Sequence, residues 1–256
     1  MTITNRAPES LGVARVLGHR GAGRHAPENT LAAIRCAAEI GVRWVEFDVR
    51  MSLDGVLVLM HDDTLDRTTN GHGPLKEASL TNLRDLDAGK WFSAEFADEP
   101  IPTLEEAVAL MAEIGVAANV EIKLSPGDDP RIGAMVAKQL IRDWPTEFPP
   151  TIISSFATGP LEAAHSAAPD LPRMLIVDAL SDDWRAQLEK LDSRHINTNH
   201  ETLTRQAAQD VRAVGIDLLC YTVNEPARAR EIFSWGVTAV YSDVPELIQS
   251  EVVRPV

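Results

Sequence analysis

Cysteine is scarce in this chain, and no hydrophobic run is long enough to span a bilayer. Only Cys36 and Cys220 occur among the 256 residues. No metal-ligand spacing links them, so two free buried thiols are favoured over a disulfide or a cysteine metal site. The first 14 residues are polar and lack the apolar core of a secretory signal. A soluble, cytoplasmic protein without a transmembrane helix is therefore expected.

Positive charge is also in short supply. Lysine and arginine number 24 against 38 aspartates and glutamates, which gives a formal net charge of −14. This balance argues against a nucleic acid as a general partner. It does not exclude an anionic substrate, because a metal ion and a few basic side chains can make a local positive site.

Short apolar runs alternate with amphipathic segments along the whole chain. Eight of these runs precede a predicted helix, and they cover residues 16–19, 44–49, 117–122, 151–155, 173–177, 195–197, 217–222 and 237–241. Eight strand–helix units in a chain of this length favour a closed α/β barrel, the (β/α)8 or TIM-barrel fold.

Two segments interrupt the alternation after the second strand. An apolar run at 55–61 follows a predicted Asp54-Gly55 turn and reads as a hairpin extension. The segment 62–102 is polar and rich in turn-forming residues. We therefore predict one catalytic barrel domain over residues 1–256, with a small insertion at about 62–102.

Polar and aromatic side chains collect where the predicted strands end, which is where barrel enzymes place their active sites. The candidates are His19, Arg20, Glu46, Asp48, His61, Glu121, Lys123, Phe156 and Tyr221. They come from distant parts of the chain, so their convergence at one end of a barrel is a stronger signal than any single motif.

Three of these candidates are carboxylates suited to a metal. Glu46 and Asp48 are two residues apart, so both point to the same face of a strand. With Glu121 they offer three oxygen donors, which suit a hard cation such as Mg²⁺ or Ca²⁺. The alternative is a structural salt-bridge cluster, for example between Glu46 and Arg50.

The charges of such a site would match a phosphodiester. Three carboxylates, a divalent cation, Arg20 and Lys123 leave one net positive charge, and a phosphodiester carries one negative charge. Arg20 can grip two phosphate oxygens in a fork, whereas Lys123 acts as a point charge.

Imidazole titrates near neutral pH, so His19 and His61 are the candidates for general acid and base. The other five histidines lack comparable charged neighbours in the sequence, and we expect structural or solvent-exposed positions for them. Phe156, Tyr221 and Trp91 would suit an apolar wall against a small polyol, although packing in the core explains each of them equally well.

Several motifs together resemble those of the glycerophosphodiester phosphodiesterases. They are GHRG at 18–21, PENT at 27–30, VEFD at 45–48, HDDTLDRTTNG at 61–71, NVEIK at 119–123, SSF at 154–156, YTVN at 221–224 and the segment 236–243. The resemblance covers about residues 16–247, and segments 168–173 and 182–185 look like the cytoplasmic bacterial members. One departure is Tyr221, where many members have tryptophan.

The resemblance implies a (β/α)8 barrel with an insertion after the second strand. It also implies hydrolysis of glycerophosphodiesters, such as glycerophosphocholine and glycerophosphoethanolamine, to sn-glycerol 3-phosphate and an alcohol. It assigns Mg²⁺ or Ca²⁺ to the three carboxylates, general acid and base to the two histidines, and the phosphate to Arg20 and Lys123. The implied partner is a small-molecule diester. A homodimer is compatible with the resemblance. We expect no nucleic acid partner and no stable insertion into a membrane.

The sequence is also compatible with other functions. A lysophospholipase D or another phosphodiesterase would use the same barrel with a wider apolar groove for acyl chains. A non-catalytic glycerophosphodiester-binding protein would be indicated by loss of a histidine or an acid, and none is missing. Attack by a neighbouring glycerol hydroxyl, giving a cyclic phosphate, and direct attack by water are both compatible with these residues.

Overall fold

A computed structural model describes residues 12–125, 127–149 and 151–252. Most of the polar N-terminal segment therefore lies outside the described residues. The strands are β1 (Val16–Gly18), β2 (Trp44–Met51), β3 (Leu57–Leu59), β4 (Ala117–Ile122), β5 (Ile152–Ser155), β6 (Arg173–Val177), β7 (His195–Asn199), β8 (Asp217–Tyr221) and β9 (Ala239–Ser242).

Eight of these strands close into a parallel barrel, as predicted. The order around the ring is β1, β9, β8, β7, β6, β5, β4 and β2, and β1 then pairs with β2 to close it. The remaining strand, β3, pairs antiparallel with the end of β2, which confirms the hairpin extension. Gly55 makes the turn of that hairpin with a φ of 83°, in the left-handed region that glycine adopts without strain.

Helices connect the strands on the outside of the barrel. They are α1 (Leu31–Glu39), α2 (Leu80–Arg84), α3 (Leu104–Ile114), α4 (Ile132–Asp143), α5 (Thr158–Ala167), α6 (Trp184–Lys190), α7 (Arg205–Ala213), α8 (Pro226–Ser234) and α9 (Pro245–Val252). Thr103 and Glu106 form a capping box at the start of α3. None of the helices in the described ranges combines the length and apolar character needed to cross a bilayer.

The side chains of β2 alternate between the outer and inner sides of the barrel wall. Val45, Phe47 and Val49 belong to the large core between the strands and the surrounding helices. Trp44 belongs to a second apolar cluster, contributed by seven barrel strands, inside the ring. Because side chains alternate along a strand, Glu46 and Asp48 share the inward face with Trp44 but lie nearer the carboxyl end.

The insertion contains no further strand–helix unit of the barrel. It holds α2 and two short 3₁₀ turns, and its apolar side chains form a third small cluster with residues of the hairpin. Outside the insertion, Cys36 and Cys220 are free thiols, as expected from their spacing. Cys220 is buried, whereas Cys36 is only partly buried and departs from the prediction in that respect.

Candidate active site

A pocket of about 270 Å³ opens at the carboxyl ends of the barrel strands. All nine candidate residues named from the sequence line it: His19, Arg20, Glu46, Asp48, His61, Glu121, Lys123, Phe156 and Tyr221. Ile176, Asn197, Thr222 and Tyr241 complete its lining. The tertiary structure therefore brings together the ends of strands that are up to about 220 residues apart in sequence.

Three buried carboxylates form the floor of the site. Glu46, Asp48 and Glu121 each place an oxygen within 4.8 Å of the others, and all three are at most 9% exposed. Oε1 of Glu46 is buried without a hydrogen-bond partner. Buried acids at this separation are costly unless a cation balances them, so the donor set fits a hard divalent metal.

The electrostatics of these acids agree with a cation site. Burial, followed by the charges of Asp48 and Glu121, raises the pKa of Glu46 well above its ordinary value. Burial acts in the same direction on Asp48, but Lys123 and Arg20 outweigh it and hold the Asp48 pKa below its ordinary value. Burial and mutual repulsion thus act against the charge of Glu46, while the neighbouring basic side chains stabilise the charge of Asp48.

Two basic residues flank the acids. Nζ of Lys123 lies 2.7 Å from Oε1 of Glu121 and 3.5 Å from Oδ1 of Asp48. Nε of Arg20 lies 3.7 Å from Oδ2 of Asp48 and has no hydrogen-bond partner. The salt bridge considered between Glu46 and Arg50 does not form, because Arg50 donates to the His61 carbonyl and to Ser125.

The loop after β1 fixes Arg20 through its backbone as well as through its side chain. Arg20 has a φ of 53°, and its amide donates to Oε2 of Glu46 at 2.9 Å. Gly18 permits the tight loop, since a Cβ there would lie 2.0 Å from the Gly21 carbonyl oxygen. The GHRG motif thus brings a guanidinium and a backbone donor to the carboxylates.

Asn29 has a role that the sequence did not reveal. Thr30, and not Asn29, caps α1. Asn29 instead donates to Oδ2 of Asp48 at 2.8 Å and accepts from the Asp48 amide at 3.0 Å. Neighbouring Glu28 accepts from Nη1 of Arg20 at 2.7 Å. The PENT motif therefore supports the site besides starting a helix.

His19 is held by an acid from the far end of the chain. Its Nδ1 lies 2.6 Å from Oδ1 of Asp243, and Asn224 donates to the other Asp243 oxygen at 2.8 Å. Burial raises the pKa of Asp243, but the contacts with His19 and Asn224 and the charge of Arg20 together outweigh it, and the net pKa is lowered. The sequence did not reveal this contact, because nothing local links Asp243 to His19.

His61 has a similar contact with its immediate neighbour. Nδ1 of His61 lies 2.7 Å from Oδ1 of Asp62. Burial lowers the His61 pKa below its ordinary value, and the attraction of Asp48 only partly opposes this. Among the described residues, the other five histidines do not line the pocket.

Two aromatic rings form one wall of the pocket. Phe156 and Tyr221 meet edge to face with ring centroids 5.8 Å apart, and Nζ of Lys123 lies 5.5 Å from the Phe156 centroid. The Tyr221 hydroxyl donates to Asp178 at 3.0 Å, so its ring is fixed from outside. Trp91 does not reach this wall and packs against Phe92 in the insertion.

Comparison with known proteins points to one family. The profile of the glycerophosphoryl diester phosphodiesterase family matches residues 19–247. A glycerophosphodiester phosphodiesterase of Caldanaerobacter subterraneus is 32% identical over 238 residues, which cover 91% of this chain and 95% of that protein. A Bacillus subtilis protein of the same name is 30% identical over 90% of this chain and 84% of its own length.

Solved structures agree with the sequence relatives. An Oleispira antarctica phosphodiesterase in complex with the product sn-glycerol-3-phosphate superposes with a TM-score of 0.91. It is 36% identical, and the alignment covers 94% of this chain and 98% of that chain. A glycerophosphodiester phosphodiesterase from Agrobacterium tumefaciens is 30% identical with a TM-score of 0.77, over 93% of this chain and all of the other.

Proposed function

The chain belongs to the glycerophosphoryl diester phosphodiesterase family, a family of hydrolases, and we propose that it hydrolyses small glycerophosphodiesters to sn-glycerol 3-phosphate and an alcohol. Glycerophosphocholine and glycerophosphoethanolamine are the proposed substrates. One observation carries this proposal. Two histidines that contact aspartates, three buried acids and two basic side chains all line the same pocket.

The three carboxylates are the proposed ligands of one divalent cation, Mg²⁺ or Ca²⁺. The unpartnered Oε1 of Glu46 and the separations within the acid cluster support this assignment. A cation bound there would polarise a phosphate oxygen and lower the pKa of a coordinated hydroxyl.

Arg20 and Lys123 are the proposed ligands of the phosphate. Both are mostly buried beside the acids, where their charges are weakly screened. Nε of Arg20 is free to donate, so the guanidinium can reach a phosphate oxygen while Nη1 stays bound to Glu28. These charges would hold the diester at the acid cluster and stabilise negative charge that develops on it.

His19 and His61 are the proposed general base and acid. Each uses Nδ1 to bind an aspartate, and an ionised aspartate holds a proton on Nδ1. Nε2 is then the nitrogen available to take or give a proton. One histidine would remove a proton from the attacking hydroxyl or water, and the other would protonate the departing alcohol oxygen.

The aromatic wall of the pocket supports a glycerol-containing diester as substrate. Phe156 and Tyr221 meet edge to face in this wall, and their rings suit the carbon face of glycerol. Glycerophosphodiesters are therefore proposed as substrates ahead of the lysophospholipids that a lysophospholipase D would cleave.

The decisive experiment uses metal-stripped protein with glycerophosphocholine, glycerophosphoethanolamine or lysophosphatidylcholine, each with Mg²⁺, Ca²⁺ or no metal. Metal-dependent release of glycerol 3-phosphate from the first two substrates is the expected result. Release of lysophosphatidic acid from the third would indicate a lysophospholipase D. Calorimetric binding of a diester without turnover would indicate a binding protein.

Phosphorus NMR during turnover separates the two routes of attack. A transient cyclic phosphate would show attack by the glycerol hydroxyl. Release of glycerol 3-phosphate with no cyclic species at any stage of turnover would support direct attack by water, since water supplies one phosphate oxygen by either route.

A further inference from the structure

Arg67 lies outside the pocket, yet it holds two acids that support the site. It belongs to a turn in the insertion, and its side chain is 44% exposed. Nε and Nη2 donate to the two oxygens of Asp62 at 2.6 and 3.0 Å. Nη1 and Nη2 donate to the two oxygens of Glu28 at 2.8 and 2.7 Å.

Each of these acids contacts a residue of the pocket on its other side. Asp62 binds Nδ1 of His61 at 2.7 Å, and Glu28 accepts from Nη1 of Arg20 at 2.7 Å. An unbroken series of charge-assisted contacts therefore runs from His61 through Arg67 to Arg20. It joins a proposed acid–base group to a proposed phosphate ligand by way of the insertion.

A guanidinium is well suited to the centre of this series. Asp62 and Glu28 are both acids, and they would repel each other if nothing lay between them. The planar fork of an arginine can bond two carboxylates at fixed angles, whereas a lysine ammonium acts as a point charge without that geometry. Held in this way, Asp62 has little freedom to turn away from His61.

We propose that Arg67 is a positioning residue, which sets His61 and Arg20 relative to each other by holding Asp62 and Glu28. The inference rests on the proposed function, because His61 and Arg20 act on the diester in that proposal. Arg67 itself does not line the pocket. It acts through its two acids and not by touching the substrate.

The first test compares Arg67→Ala with Arg84→Ala, a matched control from the same insertion. Arg84 also joins the insertion to the barrel by an ion pair, with Glu106, but it does not line the pocket. Relative to Arg84→Ala, kcat/KM of Arg67→Ala should fall about 10- to 100-fold, as for other residues that orient catalytic groups. Both a lower kcat and a higher KM are expected, since His61 and Arg20 are both released.

A second variant, Arg67→Lys, separates the effect of the charge from that of the fork geometry. It keeps the charge but cannot bond both acids in a fork, so its kcat/KM should lie nearer to that of Arg67→Ala than to that of the unaltered protein. Activity of Arg67→Ala within about twofold of the control, with unchanged KM, would overturn the proposal.

The second test needs no turnover. Nitrogen-15 NMR of the metal-free protein reports which His61 nitrogen carries the proton. The unaltered protein and Arg84→Ala should hold it on Nδ1, and Arg67→Ala should show a mixture of tautomers. An unchanged tautomer in Arg67→Ala would overturn the proposal even if activity fell. If the unaltered protein releases no glycerol 3-phosphate, the proposed function fails, while this spectrum still decides whether Arg67 holds His61.

Discussion

His19 and His61 sit in matching contacts that the chain builds in opposite ways. The nitrogen–oxygen distances to their aspartates are 2.6 and 2.7 Å. Asp243 is 224 residues away from His19, however, whereas Asp62 directly follows His61. Barrel closure between β1 and β9 brings the first pair together. A similar carboxylate–histidine contact can thus arise from global topology or from adjacent residues.

The two aspartates also differ in what holds them. A neutral amide, Asn224, donates to Asp243, whereas a guanidinium, Arg67, donates to Asp62. Asp243 is therefore fixed within the barrel rim, while Asp62 depends on the packing of the insertion. The His61 contact should respond more strongly to changes in the insertion.

The largest expected effect is loss of the imidazole itself. His19→Ala and His61→Ala should each lower kcat by about 10²- to 10⁴-fold, because each removes a proton-transfer group. His72→Ala is the control, since His72 pairs with an acid on the exposed insertion surface. Steady-state release of glycerol 3-phosphate measures the loss, and circular dichroism confirms the fold. A variant retaining more than about a tenth of the activity would remove that histidine from the proposed pair.

The next effect concerns the orienting acids. Asp243→Asn and Asp62→Asn should each reduce kcat/KM by about 10- to 100-fold. In both variants the new amide oxygen can accept from the supporting Asn224 or Arg67. An NH₂ group then faces Nδ1, which favours the wrong tautomer. Nitrogen-15 NMR of each variant checks this change.

A large loss in one of the two variants alone would break the symmetry between the histidines. Such a result would show that this histidine depends on its aspartate for orientation and that the other histidine does not. Asp66→Asn, at the exposed acid beside His72, serves as the control for a histidine-bound acid outside the pocket.

A smaller effect concerns the ionisation of His61. Because burial lowers its pKa, NMR titration of the metal-free protein should give a value below about 6.5. The hydrogen bond that His61 makes to Asp62 raises the His61 pKa, so Asp62→Asn should lower that pKa further. The folded state then favours neutral His61, and this contribution to stability is present above about pH 6.5 and lost as the pH falls below it. A measured pKa above that value would contradict the effect of burial.

The smallest effect concerns acid stability. The pKa values of Asp62 and Asp243 are both lowered in the folded protein, so each stabilises it above about pH 4 and loses this contribution as the pH falls. Urea unfolding at pH 5 and pH 3 should show less dependence on pH in either asparagine variant. For the partly exposed Asp62 the change should be no more than about 1 kcal/mol.

The cluster of three carboxylates was predictable from the sequence because it depends on short-range alternation. Glu46 and Asp48 must share a face of β2 once that segment is a strand, and its apolar neighbours mark the opposite face. Glu121 follows the same rule in β4, which pairs directly with β2 so that Asp48 lies opposite Glu121. Periodicity and strand order were sufficient here.

The supporting residues were harder to predict because their bonds depend on loop conformation. Asn29 carries the same local signal as a helix cap, yet its φ of 58° directs it to Asp48. Arg67 stands in a polar segment with no periodicity, so its sequence position did not indicate contacts with both Glu28 and Asp62. Glu28 belongs to the PENT motif that the sequence singled out, but its contacts with Arg20 and Arg67 appear only in the structure.

The amino-acid sequence by itself determined the barrel, the inward acids of β2 and β4 and nine of the thirteen side chains that line the pocket. These follow from the pattern of apolar residues and from family motifs, which act over a few residues or recur along the chain. Only the tertiary structure decided that Asp243 holds His19 and that Arg67 joins the supports of His61 and Arg20. Such contacts depend on barrel closure and loop dihedral angles, which place distant side chains within hydrogen-bond distance without leaving a local pattern.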